Sequence, residues 1–261
     1  LQQGFVVKAL TRNKDAAKAA DLKRPGIALI QGNLDDPSTY HQHLKNTDGV
    51  FAVLDFTQGI FREIRQGIDL ANCAKENGVN LFLYSSVVGA DLHTGIPHWE
   101  SKFQVENHVK QIGLPYAIIR PSSLYENFLI PQVKSRLLKG KLVVPLHKSK
   151  AQQYIGAEDI GRIATTIFLN PEKYKGRTID LAGEQMDGAR AAEIFSKVWN
   201  KPVRYQQLPG IITRLAMGKD LYKMFNWINK NEVLLVKDLA EIKKEFPGLT
   251  NLEDWIKKYF N

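Results

Sequence analysis

The 261 residues are 44% apolar and 24% charged, proportions of a folded domain and not of a disordered or fibrous chain. They suffice for one large α/β domain, or for a domain carrying a smaller lobe. No stretch holds the roughly 18 consecutive apolar residues of a membrane span. The single cysteine, Cys73, excludes an internal disulfide, which fits a reducing compartment such as the cytoplasm, and its helical surroundings read it as a small buried side chain. The net charge of +9 belongs wholly to the second half: residues 1–130 carry 13 basic and 13 acidic side chains, residues 131–261 carry 23 and 14. Such a lobe suits an anionic small molecule or an acidic partner, or is simply a lysine-rich solvated surface. Without zinc-finger spacing or an RNP-type aromatic motif, nucleic acid is not expected.

Strand and helix patterns alternate along the chain. Leu1-Gln2-Gln3-Gly4 reads as the tail of a helix closed by a glycine, so a preceding segment is expected. Phe5-Val6-Val7-Lys8-Ala9-Leu10 is β-branched and apolar enough for a strand, and Thr11-Arg12-Asn13 turns from it into an Ala-rich helix over 14–22. Pro25-Gly26 breaks the chain before a second strand over 27–32. Asp48-Gly49 introduces a third over 50–54, and a helix over 60–77 is capped by Gly78. Leu81-Phe82-Leu83-Tyr84 is the fourth strand. A helix over 98–112 stops at Gly113-Leu114-Pro115, and Tyr116-Ala117-Ile118-Ile119 is the fifth strand. Residues 131–150 predict a helix and a short strand at Val143-Val144. A further helix runs from Glu158-Asp159 to Asn170-Pro171, and Thr178-Ile179-Asp180-Leu181 is the last strand. Asp187 is placed to cap a helix over 189–200, and the remainder reads as mainly helical.

Short apolar strands separated by helices make βαβ units and a parallel sheet covered on both faces. Ligands bind beyond the carboxyl ends of such strands. That rule selects Arg12, Asn33, the 55–59 loop, Ser85-Ser86 and the 121–127 loop.

An ordered set of short motifs then accumulates: Ala9-Leu10-Thr11-Arg12-Asn13, Gln31-Gly32-Asn33-Leu34-Asp35-Asp36-Pro37, Tyr84-Ser85-Ser86-Val87 and Lys102-Phe103-Gln104-Val105-Glu106. Behind them come Leu114-Pro115-Tyr116-Ala117-Ile118-Ile119-Arg120-Pro121, Glu126-Asn127-Phe128, Asp159-Ile160-Gly161 and Gly176-Arg177-Thr178-Ile179-Asp180-Leu181-Ala182-Gly183. In order and spacing this set resembles the NmrA-like family, an atypical branch of the short-chain dehydrogenase/reductase superfamily, from residue 4 to about 209. The resemblance implies a Rossmann-like doubly wound sheet formed by residues 1–120 and 151–183. A smaller, mostly helical substrate or partner lobe would comprise 121–150 and 184–261. It also implies a central first strand and a GxxGxxG turn whose backbone amides hold the cofactor pyrophosphate. No glycines here have that spacing. The strand and turn are therefore expected upstream of Leu1, and a gap is expected between the strands at 5–10 and 50–54.

For the site, Thr11-Arg12-Asn13-Lys14 offers two cations before the first acid, Asp15, where a 2′-phosphate would need them. The resemblance likewise implies NADP(H) in preference to NAD(H); otherwise Arg12 is a surface arginine. Asn33-Leu34 stands where relatives carry Asp-Leu against the adenine, the alternative being a plain Asx turn. Ser85, Ser86, Pro121 and Ser122 close the fourth and fifth strands. By the resemblance Ser86 and Lys102 belong to the reduction site, with Lys102 also holding the nicotinamide ribose. The superfamily's Tyr, four residues before the Lys, is replaced here by His98. His98 and Lys102 share a helix face, and the cation opposes a second positive charge on the ring. Tyr125 either faces substrate or packs, and Asn127 ties its loop to the body of the fold. His41 and His43 point to different faces with no acid or cysteine cluster nearby, so no metal site is expected. The stripe Leu221, Met224, Phe225 and Ile228 fits a helix packed on the core. Two functions remain open: an NADPH-dependent oxidoreductase on a small carbonyl or quinone-like substrate, and a non-catalytic NADP(H) sensor that binds a regulatory protein partner.

Overall fold

The computed structural model describes residues 3–16, 20, 22–231 and 234–260. Strand β1 (Val7–Thr11) runs parallel to β2 (Ile27–Gln31), with Val7 opposite Ile27. Between them residues 14–16 form a turn where the helix expected over 14–22 was to begin; 17–19 and 21 of that span lie outside the described residues. The helix tail expected at Leu1-Gln2 lies outside them as well.

A second parallel sheet begins with β3 (Gly49–Val53), followed by helix α1 (Ile60–Glu76), β4 (Leu81–Ser85), helix α2 (Pro97–Gln111) and β5 (Tyr116–Pro121). Beyond it come β6 (Ser123–Leu124), α3 (Pro131–Leu138), β7 (Lys141–Val144), β8 (Gln152–Ile155), α4 (Ala157–Leu169) and α5 (Pro171–Tyr174). Strand β9 (Thr178–Leu181) then returns to lie beside β5, giving the order β3-β4-β5-β9. The chain finishes with β10 (Glu184–Met186), α6 (Gly188–Trp199), β11 (Arg204–Gln207), α7 (Gly210–Lys230), α8 (Leu239–Glu245) and α9 (Leu252–Tyr259).

Alternation along the strands divides the core. Leu81, Leu83, Ala117 and Ile119 pack with Ile160, Ile163 and Ile167 of α4 on one face. Phe82, Tyr84 and Ile118 pack with Leu70, Ala74, Val105 and Val109 of α1 and α2 on the other. Helices on both faces explain why these strands read as continuous apolar runs. A third cluster, centred on Tyr125, Phe128, Tyr154, Phe195 and Trp255, joins the 125–129 turn to α6 and α9. Asp187 caps α6 as its position predicts, its carboxylate accepting from Arg190 N–H. Gly78, at φ +66°, closes α1 and donates to Lys75 O.

Four strands were not expected: the two-residue β6, and β8, β10 and β11. The order β10-β8-β6 puts antiparallel β10 on β8, while β11 adds in parallel to β7. Gln152-Gln153, Glu184-Gln185 and Gln206-Gln207 lack β-branched apolar residues, so their pairing comes from tertiary contact and not local propensity. The end of the chain is therefore less uniformly helical than its pattern suggests. Helix α7 is broken at Gly218 (φ 82°, ψ 174°). In its second half Phe225 is buried, while Leu221, Met224 and Ile228 are half-buried. No helix of the described residues is long and apolar enough to cross a membrane.

Among the described residues, β1 pairs only with β2 and β3 only with β4. Their free edges face each other across a cavity of about 590 Å³ lined by residues 8–12 and 49–53. This is the gap expected between the two strands. Lys8 Nζ donates to Thr47 Oγ1 (3.2 Å) and His43 O (2.9 Å), joining the amino ends of the two sheets. Asp35, beyond β2, joins the carboxyl ends through Arg62 Nε (2.8 Å) and Gln66 Nε2 (2.7 Å) of α1. All these strands therefore present their carboxyl ends to the same side.

Candidate functional site

At that carboxyl side the cavity is lined by Thr11, Arg12, Asn33, Leu34, Asp55 and Gln58. The local geometry follows from short polar residues bonding their own backbone. Asn13 Oδ1 accepts from Asp15 N–H (2.8 Å), Asn33 Oδ1 from Asp35 N–H (3.2 Å), and Asp55 Oδ1 from Thr57 N–H (2.9 Å). The Asx turn weighed for Asn33 is thus present, on the cavity wall. Arg12 and Asn13 are exposed and Lys14 is half-buried; of the two cations of the Thr11–Lys14 segment, Arg12 lines the cavity. Gly32 has no room for a side chain: a Cβ there would lie 2.8 Å from Leu10 Cδ1 and 3.0 Å from Thr39 O. That close approach lets the 33–39 loop fold back over the end of β1.

Asp35 was not singled out by its motif. Its carboxylate also receives Arg62 NH2 and Arg65 NH2, and the bonds from Arg62 and then Gln66 hold it well below the usual carboxylate range. It latches the β1–β2 unit to α1.

Deeper at the same edge lie Ser85, Ser86 and Ser122, all buried at the ends of β4 and β5. Ser86 N–H donates to Ile119 O (2.8 Å) and Ser122 N–H to Leu181 O (2.8 Å), so the two serines flank the end of β5. Pro121, also buried, ends that strand, its carbonyl accepting from Val88 N–H at 3.1 Å. The Ser86 and Ser122 hydroxyls are buried without a hydrogen-bond partner among the described residues. A buried orphan hydroxyl is costly and invites a ligand or water.

Lys102 is buried on α2. Its ammonium donates to Glu63 Oε1 (2.7 Å) and lies 3.4 Å from Leu54 O at the end of β3. The other Glu63 oxygen accepts from Ser101 Oγ at 2.6 Å. The sequence reading missed Glu63. The signal was there: it shares the apolar face of α1 with Gly67, Leu70 and Ala74, where an acid needs a partner. Because Glu63 answers the Lys102 charge, the repulsion expected between Lys102 and His98 is offset. His98 is buried one turn before Lys102, stacked on Phe56 (centroids 4.6 Å apart), with Nδ1 2.6 Å from Asp220 Oδ1 of α7. Asp220 was also missed, since nothing local links it to a residue 122 positions away.

Two expectations are corrected. Tyr125 does not face an open cleft: it is wholly buried, donates to Glu184 Oε2 (2.8 Å) and stacks on Tyr154, as the packing alternative held. Asn127 is exposed and bonds within its own loop, donating to Ser123 Oγ (3.3 Å), instead of reaching the body of the fold. The histidines do diverge, His43 lining the inter-sheet cavity and His41 a second hollow. Yet Cys73 and Glu76, distant in sequence, come beside His41, so the absence of a nearby acid and cysteine does not survive folding.

The sequence profile of the NmrA-like family matches residues 1–256. An NmrA-like family domain-containing protein of Dictyostelium discoideum is 25% identical over 97% of this chain and 89% of its own length. An NAD(P)H azoreductase of Xenophilus azovorans is 29% identical over 84% of this chain and 76% of its own. Among solved structures, NmrA, a negative transcriptional regulator in complex with NADP, superposes with a TM-score of 0.81 at 22% identity, covering 99% of this chain and 89% of that one. The same regulator has been solved with NAD.

Proposed function

This chain belongs to the NmrA-like family of NAD(P)-binding Rossmann-type proteins, and on that premise we propose that it binds NADP(H) in preference to NAD(H) and reduces a small carbonyl or quinone-like substrate. The single observation carrying the proposal is the convergence of Arg12, Asn33, Leu34 and the 55–58 turn on one carboxyl-edge cavity, with Ser86 and Lys102 at the ends of the neighbouring strands. The site fits a phosphorylated dinucleotide. The Arg12 guanidinium, supported by Asn13 and Lys14, is the fork for a 2′-phosphate. Asn33 and Leu34 form the adenine wall. The orphan hydroxyls of Ser86 and Ser122, with Ser85 and Pro121 beside them, are polar and apolar contacts for the nicotinamide end.

When bound, the nicotinamide supplies the hydride; the protein contributes orientation and a proton. Asp220 takes His98 Nδ1 as its partner and fixes the ring, leaving Nε2 as the nitrogen that exchanges a proton with substrate. Glu63 fixes the Lys102 ammonium at the end of β3. The lobe of residues 121–150 and 184–261 borders the substrate side.

A second reading is a dinucleotide-sensing regulator. The observation favouring it is the His98–Asp220 contact, which joins the site to α7 and so could transmit occupancy to a protein partner. Titration with NADPH and NADH separates cofactor from role. Arg12→Ala is expected to weaken NADPH by about 10-fold or more, the worth of a charged hydrogen bond, while leaving NADH unchanged. Equal losses for both would refute the 2′-phosphate assignment. Oxidation of NADPH over a quinone and aldehyde panel, lost in Ser86→Ala at unchanged melting temperature, identifies the reductase. Saturable binding without turnover identifies the sensor.

A further inference from the structure

Where α1 meets the 37–42 segment lies a second hollow of about 520 Å³. Asp69, Cys73 and Glu76 line it from successive turns of α1, spaced i, i+4 and i+7 on one helix face. The short helical turn His41–Leu44 brings His41 over them, so that a His41 ring nitrogen, the Cys73 sulfur and a Glu76 oxygen lie within 4.8 Å of one another.

The polar contacts there are in conflict. His41 Nε2 lies 3.0 Å from Glu76 Oε2 and 3.2 Å from Asn77 Nδ2, whose amide orientation is fixed by its bond to Cys73 O (2.8 Å). A protonated Nε2 satisfies the carboxylate but confronts the amide N–H. A bare Nε2 accepts from the amide but sets its lone pair against the carboxylate. A cation shared by Nε2 and Oε2 turns that opposition into ligation.

A second observation points the same way. Tyr40, adjacent to His41, is 2% exposed, and its hydroxyl, beside the Cys73 side chain, has no hydrogen-bond partner among the described residues. A metal-bound thiolate would accept that O–H, the outer contact typical of ligating groups.

We propose that His41 Nε2, Cys73 Sγ and a Glu76 carboxylate oxygen form a binding site for a zinc-type divalent cation. One imidazole, one thiolate and one carboxylate suit a borderline-soft ion in tetrahedral geometry, with bonds of about 2.0–2.3 Å, and leave the fourth position to water. The ion would clip the segment after the Asn33 loop to α1. Tyr40, the residue before His41, lines the inter-sheet cavity.

The test is titration of the whole protein, kept reduced with a phosphine, with Co2+ and then Zn2+. The expected result is a saturable near-ultraviolet thiolate-to-cobalt charge-transfer band that Zn2+ abolishes. Cys73→Ser should lose the band. His41→Gln and Glu76→Gln, both at exposed or half-exposed positions that do not threaten folding, should weaken Co2+ by about 10-fold or more, and His43→Gln should leave it unchanged. No saturable band, a band that survives Cys73→Ser, or wild-type affinity in Glu76→Gln would overturn the proposal.

Discussion

A buried acid and a buried base face each other at the heart of the candidate site. Glu63 is wholly buried and the Lys102 side chain nearly so, which makes their 2.7 Å contact the local charge balance. Removing one partner of such a pair leaves an uncompensated charge and costs about 3–5 kcal/mol, whereas replacing both by apolar groups is close to neutral. Glu63→Ala should therefore lower the urea midpoint strongly, and Glu63→Ala with Lys102→Met should recover most of the loss. If Lys102 also touches the dinucleotide, the double variant regains stability without regaining cofactor affinity. An additive loss in the double variant would show that the two groups do not compensate each other. At this scale the sequence was partly legible. Arg12, Asn33 and Ser86 follow from the rule that ligands gather beyond strand ends, and Lys102 from its motif. Glu63 shows locally only as an acid on an apolar helix face; its partner, like those of Asp35 and Asp220, lies 27 to 122 residues away, and no local period encodes which residue that is.

At the scale of elements, α1 lies close against α2 because Gly67 carries no side chain. A Cβ there would sit 2.7 Å from both Val105 methyls and 2.8 Å from Leu54 Cδ1. Gly67→Ala should cost about 1–3 kcal/mol through overpacking, measured by denaturation, and Gly67→Ala with Val105→Ala should recover part of it. A neutral or stabilising Gly67→Ala would contradict the tight contact. Helices α6 and α9 are joined differently, by Glu253. Hydrogen bonds from Lys197 and then Lys257 pull its carboxyl down to about 2 from 4.5. A depressed folded-state pKa contributes stability that is complete above 4.5 and fades as pH falls toward 2. The difference in melting temperature between wild type and Glu253→Gln should therefore shrink across that window. It should be small throughout, because exposed pairs are screened. A difference that grew on acidification would reverse the sign. Strands β1 to β5 and β9 and the sheet-covering helices α1, α2 and α4 were readable because their apolar runs match the strand and helix periods. Strands β8, β10 and β11 were not, since their glutamine-rich stretches pair by position instead of propensity.

At the scale of the whole molecule, two parallel sheets share one carboxyl side but, among the described residues, not a hydrogen-bond ladder. Leu10, Phe51 and Val53 keep more than a third of their surface exposed on the facing edges, in contrast to β4, where every residue is buried. The β1–β2 unit is held to the rest by Lys8, by the Asp35 latch and by packing along the cavity, and carries the rim cation Arg12. Ser86 lies just beyond β4, and Lys102 and His98 lie on α2, with the Lys102 ammonium 3.4 Å from Leu54 O at the end of β3. On the proposed reading, dinucleotide binding would bridge the two units through Arg12 and Lys102.

Hydrogen exchange, followed by mass spectrometry with and without saturating NADPH, tests this most directly. Protection should concentrate in residues 11–14, 33–36, 54–59 and 85–88, coming from both sheets at once. Binding that protects only one sheet, or only the α6–α9 lobe, would contradict the central claim.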